Sequence, residues 1–205
     1  GSTMRRRLGG RVQKLAIDAH LGCPHRNAES NKGGCTFCLG EAFTPSYCNT
    51  QHSITEQINS AIEFHTSRNR SADKYLAYFQ AGTNTFADTD TLNRLYSEAL
   101  AHPEIDGIII GTRPDCMPQE LLDQLSELHQ SNWIMIEYGA ETSHNPTLDF
   151  INRCHSWEDT IDAVMRTHAV GIPCGLHLIL GLPGEDELMI LDTISRVSQL
   201  PLDTI

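Results

Sequence analysis

At 205 residues the chain is long enough to bury one full core, and one domain is the default expectation. Its 26 Asp and Glu against 15 Lys and Arg give a formal net charge of -11, which argues against a broad phosphate-binding surface and so disfavours nucleic acid as a partner. No apolar run reaches membrane-spanning length, and seven unevenly spaced cysteines do not read as a disulfide framework, so a reducing cytoplasm is the expected home.

Gly1-Ser2-Thr3 before Met4 reads as a cloning scar, and residues 1–13, with Arg5, Arg6 and Arg7, as a solvated tail ahead of a core spanning 14–205. Lys14 to His20 predicts a first strand, which runs directly into Cys23-Pro-His-Arg-Asn-Ala-Glu-Ser-Asn-Lys-Gly-Gly-Cys35-Thr-Phe-Cys38. The spacing is Cys-x11-Cys-x2-Cys. A Cys-x2-Cys pair converges two thiolates, and Gly33 and Gly34 let the backbone fold tightly just before it. Three thiolates without an obvious fourth suit an iron–sulfur cluster with one iron left open. Two other readings stand beside it: a closed zinc site, with His25 or Cys48 as fourth ligand, and a redox dithiol.

Ser53-Ile-Thr-Glu56 is a capping-box pattern that predicts a helix to about Arg68. Lys74 to Gln80 predicts a second strand, ending in the polar turn Ala81-Gly82-Thr83-Asn84-Thr85. A helix follows from about Thr89 to Ala101, with Leu92, Leu95, Tyr96, Ala99 and Leu100 at helical spacing. Asp106 to Gly111 predicts a buried third strand, followed by Thr112-Arg113-Pro114-Asp115. Pro118 suits the first turn of a helix striped with Leu121, Leu122, Leu125 and Leu128. Trp133 to Tyr138 predicts a fourth strand, and Ser156 with Asp159 starts a fourth helix that Gly171 stops. Pro173 to Leu180 predicts a fifth strand, running into Gly181-Leu-Pro-Gly-Glu185 and a fifth helix over about Glu187 to Gln199. Pro201 to Ile205 reads as the lead into a sixth strand, so the chain is expected to be truncated after its fifth βα unit. The fifth strand is then left with an open edge through which a dimer could form.

Apolar strands alternating with amphipathic helices imply a parallel α/β sheet or barrel. The polar and glycine-rich segments all follow strands. Ligands in such folds sit at the carboxyl ends of the strands, so these loops are expected to share one mouth.

These motifs, in this order, resemble the radical S-adenosylmethionine (SAM) superfamily, and within it the YhcC-like family related to the elongator catalytic subunit. The resemblance is carried by Cys23-Pro24, Gly33-Gly-Cys-Thr-Phe-Cys38, Tyr78-Phe-Gln-Ala81, Thr83-Asn-Thr85, Gly111-Thr-Arg-Pro-Asp-Cys116, Thr147-Leu148, Ile151-Asn-Arg153 and His177-Leu-Ile-Leu-Gly-Leu-Pro-Gly-Glu185. It implies a partial (β/α)6 barrel, a 4Fe–4S cluster on Cys23, Cys35 and Cys38, and SAM on the open iron. It also implies a low-potential electron donor and a substrate that the sequence does not name. RNA modification is an alternative suggested by the elongator kinship, and the acidic charge speaks against it.

The same resemblance puts Phe37 near the adenine, with loop anchoring as the rival role. Ala81, Gly82 and Thr83 stand where the superfamily turns its backbone toward the methionine amino group, although the glycine could simply serve the turn. Glu141 and Arg153 resemble positions that contact ribose and carboxylate, with a salt bridge as the rival for Arg153. Gly181 to Gly184 would pass the adenine. Arg113 and Asp115 could touch ligand or pair with each other, and His177 is a catalytic candidate or a hydrogen-bonded core residue. Cys116, Cys154 and Cys174 read as ordinary thiols. The loop departs from the family pattern at His25, Asn27 and Ala28, Glu141 stands where Gln is common, and Gly82 replaces a frequent aromatic.

Overall fold

The computed structural model describes residues 2–26, 33–39, 44–48, 51–70 and 72–205. Five strands form its centre: β1 (Val12–Ile17), β2 (Lys74–Phe79), β3 (Ile105–Thr112), β4 (Trp133–Glu141) and β5 (Cys174–Leu178). They pair in parallel in sequence order, β1-β2-β3-β4-β5. Around them lie α1 (Ser2–Leu8), α2 (Ile54–Thr66), α3 (Thr89–Leu100), α4 (Gln119–His129), α5 (Asn145–Phe150), α6 (Trp157–Ala169) and α7 (Glu187–Val197).

Side chains alternate across each strand, and the sheet uses its two faces differently. On the outer face Leu15, Ile17, Ala77, Phe79, Ile108, Ile110, Ile134, Ile136 and Leu176 pack against helices. The helical partners include Ile58 of α2, Tyr96 of α3, Leu121 and Leu122 of α4, and Val164 of α6. Each fully buried aliphatic side chain there stabilises the fold by roughly 1.5–3 kcal/mol relative to exposure. On the inner face Leu76, Tyr78, Ile109 and Met135 form a smaller cluster with Met4 of α1. The predicted loops gather past these residues, at the carboxyl ends of the strands.

The expected helices form with the expected caps. Ser53 and Ser156 each close a capping box, with Glu56 and Asp159; Asp88 and Asp186, not named in the sequence reading, cap α3 and α7. Several boundaries differ. The amino-terminal tail is helical over α1, and Met4 is buried, although Arg5, Arg6 and Arg7 face solvent as expected of a tail. β1 ends at Ile17 rather than His20, because His20 takes a left-handed φ of 56° and its amide donates to Asp18 Oδ1. Pro118 is the cap residue just before α4 instead of lying in its first turn. β4 extends to Glu141, and the short α5 has no counterpart in the periodicity reading, since Asn145-Pro146 starts a helix too brief to show a repeat. Beyond α7, Thr204 forms a parallel bridge to Gly175, with Leu176 N donating to Thr204 O at 3.2 Å, so this segment joins the sheet beside β5. Among the described residues no helix is long and apolar enough to cross a membrane.

Candidate functional site

The mouth of the sheet is built first by the exit from β1. Gln57 of α2 is buried and clamps that exit, accepting from Asp18 N at 3.0 Å and donating to Asp18 O at 2.9 Å. The chain then passes Gly22 into a turn in which Arg26 N donates to Cys23 O at 3.0 Å. The Cys-x2-Cys segment closes a second turn, Cys38 N donating to Cys35 O at 3.1 Å, and the Arg26 guanidinium bonds the Cys38 carbonyl. Gly34 has φ 77°, and a Cβ there would lie 2.5 Å from Arg26 Cγ, so a glycine is required for this close approach. Thr36 N donates to Ile151 O at 3.0 Å, which ties the cysteine turn to the segment after α5.

That segment carries Arg153. Its neighbours Asn152 and Cys154 both hold left-handed φ values, 55° and 62°, an arrangement kept only when the surroundings over-determine it. Each of the three guanidinium nitrogens has a partner. Nη1 donates to Cys35 Sγ at 3.5 Å, Nε to His155 Nε2 at 3.0 Å, and Nη2 to Gly139 O at 2.6 Å, with Glu141 Oε1 at 3.1 Å. A Cβ on Gly139 would lie 2.5 Å from Arg153 Nη2, so the bare glycine lets the arginine cross β4. Burial, and then the Arg153 charge, push His155 down to about 4. The imidazole is therefore neutral at physiological pH, accepts from Arg153 at Nε2, and donates from Nδ1 to Ser156 O. Burial raises the pKa of Glu141 while Arg153 opposes the rise.

Arg113, the buried arginine after β3, forks onto Asp115 at 3.0 and 3.1 Å and also donates to Arg153 O at 2.7 Å. Its Nη1 is buried without a hydrogen-bond partner among the described residues. Burial would raise the pKa of Asp115, but the Arg113 guanidinium overrides it and holds the carboxyl below the usual range. Asp115 Oδ2 in turn lies 3.5 Å from His25 Nε2 in the cysteine loop. Gly82 is exposed at φ 78°, and a Cβ there would meet Gly22 O at 2.5 Å. Thr83 N donates to that same carbonyl at 2.7 Å, so the Ala81-Gly82-Thr83 turn grips the cysteine loop. Phe37 packs with Leu148, Ile151, Ile179 and Leu182, which anchors the loop to the Gly181–Gly184 turn. Gly181 itself is exposed at φ 82° with open space where a side chain would be. Cys116 and Cys174 are pushed up to about 11 and about 12, burial first, as ordinary thiols would be.

The structure thus brings Cys35, Arg153, Glu141, Arg113 and Asp115 into one contact network, with Cys23 and Cys38 on the loop bound to it. The sulfurs are not drawn into a cage: among the described residues no three His, Cys, Asp or Glu side chains are gathered around one point as a metal site. Residues 27–32, which join Cys23 to the Cys-x2-Cys turn, lie outside the described residues. The donor set still has the chemistry of a cluster cradle, because three thiols share one pinned loop and a guanidinium donates to Cys35 Sγ. Sequence reading missed three polar residues on the inner face: Lys14, Tyr78 and Glu137. The signal available was a charge inside an apolar strand, as in Trp133-Ile-Met-Ile-Glu137.

A family model described as the radical SAM superfamily matches residues 21–197. Protein YhcC of Escherichia coli strain K12 is 37% identical over 206 residues, covering 100% of this chain and 65% of that protein. Among solved structures, Methanocaldococcus infernus Elp3 lacking residues 1–46 gives a TM-score of 0.62 at 18% identity over 91% of this chain and 42% of that one. Coproporphyrinogen III oxidase (HemN) from Escherichia coli, described as a radical SAM enzyme, gives 0.61 at 17% identity over 94% and 42%. At these identities the structural likenesses speak for a shared fold. The chain spans less than two thirds of the length of the curated relatives it matches end to end.

Proposed function

The chain belongs to the radical SAM superfamily, and on that premise we propose that it cleaves S-adenosylmethionine reductively to act on a substrate by hydrogen abstraction. The observation that carries the proposal is the Arg153 guanidinium, which joins Cys35 Sγ to the Glu141 carboxylate at the mouth of the sheet. Cys23, Cys35 and Cys38 would hold a 4Fe–4S cluster. When bound and reduced, such a cluster supplies the electron that splits SAM into methionine and a 5′-deoxyadenosyl radical.

The protein's own part is positioning. Neutral His155 and the Gly139 carbonyl fix the plane of Arg153, so its positive charge faces the cysteine loop and is available to the SAM carboxylate. Glu141, beside it, is the acceptor for a ribose hydroxyl. The Gly82–Gly22 contact and the Phe37 cluster hold the loop against the sheet. Gly181 leaves its backbone open to a flat ring.

Anaerobic iron–sulfide reconstitution, followed by dithionite and SAM, tests the reading by assay of 5′-deoxyadenosine. Production is expected, and it should vanish in Cys35→Ala and Cys38→Ala. A colourless protein that binds one zinc and yields no 5′-deoxyadenosine would sink the proposal in favour of a closed zinc site.

A further inference from the structure

Nearer the amino ends of the strands than Arg153 and Glu141, the inner face carries a second polar layer that the cofactor chemistry leaves unused. Glu137 is its centre and is 3% exposed. Its Oε1 accepts from Lys14 Nζ at 2.7 Å, and its Oε2 lies 3.0 Å from His177 Nε2. Tyr78 OH stands 3.3 Å from the same imidazole nitrogen, and Lys14 Nζ lies 4.4 Å from the centroid of the Tyr78 ring. The four residues come from β1, β2, β4 and β5, so the array crosses the sheet. Beside it lie the apolar groups Met4, Leu76, Ile109 and Met135. The register partners of Glu137 are both glycines, Gly111 and Gly175. A Cβ at Gly175 would come 3.3 Å from Glu137 Cγ and 2.5 Å from Thr204 Oγ1, so the carboxylate has its place because that neighbour has no side chain.

Stability alone does not call for this array. A buried ion pair is commonly no better than well-packed apolar residues of the same volume, and such residues fill the adjoining layer. The array is also polarised. Its anion is inside, with both oxygens engaged, while its donors face outward: the His177 side chain is 49% exposed and that of Lys14 34%. The ammonium keeps N–H donors beyond the one given to Glu137, and His177 Nδ1 makes no hydrogen bond to a described residue. A buried carboxylate that holds an ammonium and an imidazole at the surface, the ammonium with N–H donors to spare, is arranged to present them to an anion.

We infer that Lys14 and His177, seated on Glu137, bind an oxyanion, the carboxylate or phosphate of the substrate. Glu141 lies four residues farther along β4, roughly 10–13 Å at about 3.3 Å per residue. A substrate anchored at the seat would extend its reacting carbon toward the SAM level. That the anchored molecule is the substrate rests on the radical SAM reading; the seat does not.

The test titrates inorganic phosphate, and separately acetate, into the full chain with and without reconstituted cluster, at ionic strength held constant with NaCl. Imidazole nitrogen resonances report, with His177 assigned through His177→Gln. A saturable shift of the His177 resonances in the millimolar range is expected, with affinity at least tenfold weaker in Lys14→Gln. Glu137→Gln should bind more tightly, since the competing internal anion is gone. The tighter of the two probes identifies phosphate or carboxylate as the source. No saturable shift in the wild type, or equal affinity in Lys14→Gln, overturns the proposal. A chain that binds phosphate here yet makes no 5′-deoxyadenosine keeps the seat and loses the radical reading. One that makes 5′-deoxyadenosine without the shift loses the seat alone.

Discussion

Arg153 is the residue on which the mouth depends. It is 8% exposed and its ion-pair partner Glu141 7%. Breaking a buried pair from one side leaves an uncompensated charge, which costs about 3–5 kcal/mol. Arg153→Gln should therefore lower the urea midpoint markedly and reduce iron retained after reconstitution. Glu137 makes a prediction about pH. Burial would raise its pKa, but the His177 hydrogen bond and the Lys14 charge carry it from 4.5 down to about 2. A carboxyl whose folded pKa is depressed contributes stability above its unfolded value, and the contribution is lost as pH falls through the folded one. Urea unfolding should thus weaken by about 3 kcal/mol between about pH 5 and pH 2 on account of this group. In Glu137→Gln that part of the pH dependence should disappear. Gly82 is the third such position: Gly82→Ala forces a side chain into a left-handed backbone with a Cβ 2.5 Å from Gly22 O. A loss of about 1–3 kcal/mol is expected, together with poorer cluster loading, measured as iron per chain.

At the scale of elements, helix ends do much of the positioning. The Ser156–Asp159 box starts α6 directly after His155, so the cap and the imidazole that orients Arg153 share one stretch of backbone. Ser156→Ala removes a cap worth about 1 kcal/mol and should lower the melting temperature while leaving phosphate binding at the Lys14 seat unchanged. The mouth end of β4 is held from the other side by α7. Thr193 of α7 meets the Thr142 and Ser143 hydroxyls at 3.3 and 3.0 Å, and Thr142 also donates to Glu185 at 2.5 Å. This hydroxyl cluster fixes the Gly181–Glu185 turn to the strand that carries Glu137 and Glu141.

For the whole molecule, the inner face is graded along the strands. An apolar layer with Met4 of α1 comes first, the Lys14–Glu137–His177 layer next, and the Arg153–Glu141 layer with Cys35 last. A ligand entering at the mouth would meet the last of these first. The net charge bears on partners: at -11, this chain should elute from immobilised tRNA below about 0.1 M salt, because few phosphates can be neutralised. Retention that falls steeply only at higher salt would instead support the RNA-modification alternative.

The alternation of strands and helices, the caps at Ser53 and Ser156, and the loops bearing Cys23, Cys35, Cys38, Arg113 and Gly181 were all legible in the sequence. Local periodicity and capping chemistry are properties of short segments, and a thiol motif keeps its spacing wherever it folds. The pairings were not. That Arg153 bridges Cys35 and Glu141, that the Thr83 amide reaches Gly22 O, and that Glu137 gathers Lys14 and His177 depend on strands distant in sequence arriving at a fixed register. A polar residue within an apolar strand shows that something must compensate its burial. Only the tertiary structure decides what, because the compensating group comes from another strand.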